Sequence, residues 1–460
     1  MLSLARSRRL PAGVAAGHPA TCDAGIEILQ DGGGAADAAV AGCLASFVAE
    51  TVMTGLLGAG HAIYWDAGSA RARNLDCFVA VPSGAGAPMV ELRVPFGEEL
   101  VHYAIGAASC GVPGVAAGLA ELWRAHGRLP WERLVAPALR LARDGVPMPL
   151  AHVRCLQMLE PVLTLDAGAR IYAPGGKLLR VGELLRQPGL VRALELLRDE
   201  GADTVYSGSI AEALLALCAE RGGAVTRADL AGYRAAWSEP VEVAFAGTRF
   251  LTRAGLSGVP DALRRLPPHA DVPALVEALD APVDRDGDTT NLVAVDGDGN
   301  ACVVTTSLGL GSGDYLPGLD LHLNSMLGEA DLVRGELRPG RRMSSMMAPS
   351  IALDGDGLAL AVGAAGGTRL RTALVGVTSA ILERGVLPQE AVDAGRAHPV
   401  GAHVHAEPGV PEAALAELER RGRSVRRWPA RHHYFGGVSA IGRSGPAADP
   451  RRSGSARSAA

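Results

Sequence analysis

Two runs of β-forming residues, Thr289–Asp296 and Ala301–Leu308, flank the turn Asp296-Gly297-Asp298-Gly299. A spacing of this kind commits that part of the chain to an antiparallel hairpin. A second strand pair is expected from Pro349 to Gly363 around Asp354-Gly355-Asp356-Gly357, and a third from Pro240 to Thr252 about Ala246-Gly247. Helical spacing dominates elsewhere. Asp23 to Gln30 reads as a short amphipathic helix stopped by Gly32, Gly33 and Gly34, and Asp37 is expected to cap a nearly all-apolar helix through Ala49. His61–Asp66 and Asn74–Val81 read as strands. Mixed elements of this sort suggest sheets covered by helices.

With 460 residues, 48% hydrophobic and 20% charged, the chain can bury a large core and is not of disordered composition. Its 59 glycines suggest close-packed layers with many bare Cα positions. The net charge of −5 carries no nucleic-acid footprint, and no stretch has the apolar length of a membrane span. Seven scattered cysteines without a CxxC pair point away from a zinc or redox motif and toward a reducing compartment, so a cytoplasmic location is expected. The Arg-rich end (Arg451, Arg452, Arg457) reads as a solvated, frayed terminus. His403, His405, His432 and His433 read as surface histidines. The Asp284/Asp286/Asp288 and Asp296/Asp298/Asn300 runs lack the glycine and closing glutamate of a calcium loop, so neither a metal nor an organic cofactor is implied.

Residues 253–288 form the most linker-like stretch, with Pro260, Pro267, Pro268, Pro273 and Pro282 ahead of Asp284-Arg285-Asp286-Gly287-Asp288. Thr289 opens a strand directly after it. If the Asp288–Thr289 bond is cut, the new α-amino group, with an ordinary pKa near 8, can serve as base for the threonine's own hydroxyl.

Further motifs make that placement specific. Gly17-His18-Pro19, Asp23-Ala24-Gly25, Gly32-Gly33 and Ala36-Asp37-Ala38-Ala39-Val40 come first, then Gly111-Val112-Pro113-Gly114 with Gly127-Arg128-Leu129-Pro130-Trp131. Leu230-Ala231-Gly232-Tyr233, Asp288-Thr289-Thr290, Asp298-Gly299-Asn300-Ala301, Met343-Ser344-Ser345-Met346 and Gly366-Gly367-Thr368-Arg369 follow in order. In this set the chain resembles the γ-glutamyltransferase (glutathione hydrolase) family of N-terminal-nucleophile hydrolases, nearly end to end. The resemblance implies an α+β fold, a four-layer αββα sandwich, made as a precursor and cut into fragments 1–288 and 289–460 that stay associated. It implies Thr289 as nucleophile, Ser307 as a second hydroxyl near its amine, Gly366 and Gly367 as the oxyanion-binding amides, and Ser344 and Ser345 in the substrate pocket.

The departures concern the donor. Phe78 stands where the family carries its carboxylate-binding arginine, Gly309 where it carries an asparagine, and Ser325 and Gly328, after Asn324, where it holds the α-amino group. Each lost partner removes a charge-assisted hydrogen bond of about 1.5–3 kcal/mol, so γ-glutamyl recognition is expected to be poor. Arg341 or Arg342 is the alternative anion partner. The segment between Thr252 and Asp288 is also shorter than in typical members. The expected activity is an acyl hydrolase or transferase acting on a small-molecule acyl donor. The alternatives are a specialised-metabolism homologue acting on a non-γ-glutamyl acyl group, including carbon–carbon bond hydrolysis, and an unprocessed pseudoenzyme that binds a metabolite.

Overall fold

The computed structural model describes residues 9–96, 99–280 and 289–459. Among these, thirteen strands build two large sheets. In chain order they are β1 (Gly13–Ala16), β2 (Ala59–Asp66), β3 (Arg71–Cys77), β4 (Ala236–Ser238), β5 (Val241–Phe245), β6 (Thr248–Thr252) and β7 (Thr290–Val295). Then come β8 (Ala301–Ser307), β9 (Ser350–Asp354), β10 (Gly357–Ala365), β11 (Gly437–Gly442), β12 (Gly445–Ala448) and β13 (Ser455–Ser458). The first sheet runs β13-β1-β7-β8-β2-β3-β4 and the second β12-β11-β10-β9-β6-β5. β1, from the start of the chain, lies between β13 and β7, which both come from its second half.

Side-chain alternation builds the layers. On β7 and β8, Leu292, Ala294, Cys302 and Val304 face α1 (Pro19–Gln30), α2 (Ala35–Ala49), α3 (Val115–His126) and α4 (Trp131–Asp144) in one core. Their neighbours Val293, Val295, Ala301 and Val303 pack against Ile351, Ala361 and Ile441 of the second sheet. The far face of that sheet is covered by α5 (Val259–Arg265), α6 (Val272–Leu279), α7 (Arg369–Leu382) and α8 (Pro388–Asp393). Helices outside and two sheets inside make the four-layer αββα sandwich.

The three expected hairpins form: β7–β8, β9–β10 and β5–β6, the last turning at Ala246 and Gly247 with φ of 48° and 72°. Other expectations are corrected. α1 starts at Pro19 rather than Asp23, because His18 caps it: Ala20 N donates to His18 Nδ1 at 3.0 Å. Gly34, not Asp37, is the N-cap of α2; Asp37 sits one turn in and accepts from Gly34 N at 2.8 Å and Arg128 N at 2.9 Å. The second expected strand ends at Cys77.

The linker-like stretch contains α5 and α6, with Pro260 and Pro273 in their first turns, where a missing N–H costs nothing. The acidic run through Asp288 lies outside the described residues. The C-terminus is not frayed either. β13 zips onto β1, and Arg451 and Arg452 are buried. Of the four histidines read as superficial, His405 and His433 are buried.

Candidate active site

Thr289 is 5% exposed and directly precedes β7. The β7–β8 register pairs Thr290 with Thr306, so its continuation sets Thr289 opposite Ser307. Alternation from Asn291, Val293 and Val295 directs Thr289 between the sheets. There it lines a cleft shared with Asn291 from the first sheet and Ala365, Gly437 and Ser439 from the second. The Ser307 hydroxyl is buried and accepts from Gly309 N at 2.8 Å. The sequence-expected nucleophile and its second hydroxyl are therefore neighbours across one hairpin.

Three charged residues complete the cleft: Glu50, Asp449 and Arg452. Glu50 follows the last residue of α2 and is fully buried. Its carboxylate accepts from the hydroxyls of Thr21, at 2.6 Å, and of Thr290. Burial pushes its pKa up, while those two hydroxyls and the Arg452 charge act in the opposite direction. Arg452 reaches the cleft from a short turn (Pro450–Arg452) capped by Asp449. One of its nitrogens lies 3.4 Å from the Met53 sulfur.

That turn is held by ions. Arg451 donates to Glu407 at 2.9 and 2.8 Å and to Asp449 at 3.1 Å, and Arg396 donates to the other Asp449 oxygen. Burial pushes the Asp449 carboxyl up, but Arg396 and Arg451 more than reverse this and hold it below the ordinary range. With these charges matched, Arg452 points into the cleft as Arg451 points away.

Gly366 and Gly367 follow β10 and precede α7, with φ of 120° and 58°. Both values are in the region that favours glycine, and a Cβ on Gly366 would sit 2.6 Å from Gly436 Cα. Neither amide N–H is spent on a backbone acceptor among the described residues. The Arg452 guanidinium lies against the same point, 3.2 Å from where a Gly366 Cβ would be.

The residues expected to bind substrate are not among those lining the Thr289 cleft, though Ser325 lies beside Gly309, next to Ser307. Phe78 is buried and stacked on His61, ring centroids 5.3 Å apart. Asn324 is wholly buried and engaged with backbone: its Oδ1 accepts from Gly111 N, and its Nδ2 donates to Leu57 O and Gly111 O, each at 2.9 Å. It fastens two loops together. The buried Ser325 hydroxyl accepts from Leu310 N at 3.1 Å. A Cβ on Gly309 would fall 2.0 Å from Glu329 and 2.7 Å from the Ser325 hydroxyl, so the space of a side chain there is taken. Ser345 is buried, its carbonyl accepting from Arg253 at 3.1 Å. Ser344 lines a separate cleft with Arg334, Arg338, Arg341 and Arg342. Arg342 lies 4.0 Å over the Tyr233 ring and 3.6 Å from Asp76.

Glu50, Asn291 and Arg452 escaped the sequence reading. Glu50 had a local signal, being a lone carboxylate at the end of a helix whose residues are all buried. Arg452 had none, since its role depends on contacts with Met53, some 400 positions away. Among the described residues no acidic, histidine or cysteine group could hold a metal ion, and no helix is long and apolar enough to cross a membrane.

Comparison with known proteins bears on this arrangement. A family model described as gamma-glutamyltranspeptidase matches residues 21–260 and 264–459. The chain is 28% identical to the acylase ACY 1 proenzyme of Pseudomonas sp. (strain SE83), across 93% of this chain and 89% of that protein. It is 24% identical to the glutathione hydrolase proenzyme of Bacillus subtilis (strain 168), across 89% and 84% respectively. The solved cephalosporin acylase from Bacillus halodurans shares the fold with a TM-score of 0.81, 24% identity, and coverage of 98% and 96%.

Proposed function

The chain belongs to the gamma-glutamyltranspeptidase family, and from that membership we propose that it is a self-processing acyl hydrolase or transferase whose nucleophile is Thr289. The observation that carries the reading is that the β7–β8 register sets Thr289, which lines the inter-sheet cleft, opposite Ser307. The hydroxyl of Thr289 adds to the carbonyl before it, the C–N bond breaks and frees the α-amine with its proton, and water then hydrolyses the resulting ester to free Oγ. That amine then removes the proton from Oγ as Oγ adds to the donor carbonyl. The Gly366 and Gly367 amides receive the negative oxygen, and loss of the leaving group gives an acyl-enzyme that water or an amine resolves. The fragments 1–288 and 289–460 stay together as one unit. All seven cysteines are buried and in no disulfide, which supports a cytoplasmic site of action.

The donor is a small-molecule acyl compound other than an ordinary γ-glutamyl one. Phe78 is stacked into the core, and Glu329 and Ser325 occupy the space beside Gly309, which supports this. The name of the acylase proenzyme from Pseudomonas points the same way.

On denaturing electrophoresis the purified protein gives two bands matching 1–288 and 289–460, and Thr289→Ala gives one. Cleavage that persists in Thr289→Ala refutes the nucleophile. Mass spectrometry of Thr289 during turnover identifies the acyl group, and robust hydrolysis of γ-glutamyl-p-nitroanilide refutes the altered donor.

A further inference from the structure

The reaction above separates charge. As the Thr289 Oγ–C bond forms, the hydroxyl proton passes to the α-amine, which becomes ammonium, and the carbonyl electron pair moves onto oxygen. Collapse expels the leaving amine, which takes the proton back. Positive and negative charge thus develop together in a cleft whose walls are buried.

The cleft is polarised to match. Arg452 sits against Gly366, on the side of the proposed oxyanion amides, and is itself 5% exposed. Glu50 lies by Gly17 and the start of β7; a Cβ on Gly17 would be 2.7 Å from its carboxylate and 2.8 Å from the Thr290 hydroxyl. Both side chains line the cleft with Thr289. Arg396 and Arg451 hold Asp449 and Glu407 nearby. Arg452 and Glu50 line the cleft together with Asp449. Fixed charges aimed at developing charge in a dry site lower the barrier without reorganising.

We propose that Arg452 and Glu50 are the two electrostatic poles of this active site, Arg452 stabilising the oxyanion and Glu50 the ammonium of Thr289. The proposal rests on Thr289 being the nucleophile. It adds a guanidinium to the backbone amides and gives a function to a buried carboxylate that the bond-making steps do not use. Arg452 also stands beside the cleft floor at Gly437, where a Cβ would lie 2.3 Å from its Cγ, so the side chain has little freedom to swing away.

The test compares Arg452→Lys with Arg452→Gln in the self-processed protein, using an acyl-p-nitroanilide donor. The glutamine variant loses about 100-fold in kcat with KM nearly unchanged, whereas lysine retains most of the rate. Guanidinium chloride at low concentration restores rate to Arg452→Ala. Equal activity or equal impairment of the Lys and Gln variants, in turnover or in self-cleavage, overturns the role of Arg452. Glu50→Gln keeps an acceptor for Thr290 and lowers kcat by about tenfold; an unchanged kcat overturns the negative pole. Thr289→Ala runs alongside. If it stays active the nucleophile is wrong, whereas if it is dead and Arg452→Gln is unimpaired, only the present inference fails.

Discussion

Replacing Arg451 by Met removes the centre of the ion cluster that aims Arg452 at the cleft. Arg451 is fully buried, and its guanidinium reaches Glu407, Asp449 and the carbonyls of Val392 and Ala394. After the change Asp449 still has Arg396, so the carboxylate that loses its ion-pair partner is Glu407, 1% exposed and left with the Arg396 and His432 backbone N–H donors. Breaking a buried pair from one side costs about 3–5 kcal/mol, because the remaining charge is left without compensation. A cost near 4 kcal/mol is expected, a large fraction of a typical domain's total stability. Adding Glu407→Leu removes that carboxylate, and replacing both partners by apolar groups is often close to neutral, so the double variant should recover most of the loss. Urea unfolding in a Thr289→Ala background, which keeps the chain intact, measures both. A loss below about 1 kcal/mol for Arg451→Met would refute this reasoning, as would a double variant no better than the single.

Three other perturbations follow from the same contacts. Burial lowers the His18 pKa to about 4, despite its hydrogen bond to the Pro147 carbonyl. The folded state therefore binds its proton less readily than the unfolded chain, and stability falls as pH drops from about 6.5 to 4, by roughly 3 kcal/mol. His18→Asn keeps a helix cap and should flatten that part of the stability–pH curve; an unchanged slope rules out His18 as its source. Asp296 accepts from Ala35 N, Asp298 N and Asn300 N at 3.0 Å each, so Asp296→Ala should cost about 3 kcal/mol in the urea midpoint, and a loss within error would discount this tie. In Gly58→Ala the new Cβ lies 2.4 Å from the Ser307 carbonyl oxygen. It should cost about 1–3 kcal/mol and slow self-cleavage by shifting Ser307. Normal cleavage kinetics at lowered stability would show that the position of Ser307 is not limiting.

What the sequence made legible was local. The hairpin around Asp296-Gly297-Asp298-Gly299 announced itself through turn chemistry and β-branched flanks, and it carries Thr289 and Ser307 to the same end. The paired glycines 366 and 367 were visible through the resemblance to the family's motif, and their positive φ shows why bare Cα atoms are needed there. What stayed hidden was pairing at a distance. Nothing in Ser455–Ser458 says that it adds to Gly13–Ala16, so a zipped edge strand passed for a frayed tail. Prolines that mark the first turns of α5 and α6 passed for linker residues, since the same residue serves both purposes. Phe78, Asn324 and Ser325 kept their places in the pattern of motifs, but whether a side chain faces a cleft or a core is decided by neighbours far along the chain.

The position of β1 between β7 and β13 changes the molecularity of folding. In the uncut chain every strand of the first sheet is found by a search within one molecule, at an effective concentration set by the connecting segments. A cut before Thr289 puts β1 on one polypeptide and both of its neighbours on the other, while β8 with β2 and β9 with β6 become further seams between them. Unfolding then releases two molecules, and return to the native state depends on their meeting again. The interleaving makes the cut a one-way door: the precursor can be stable by equilibrium, but the processed enzyme endures by the slowness of its unfolding.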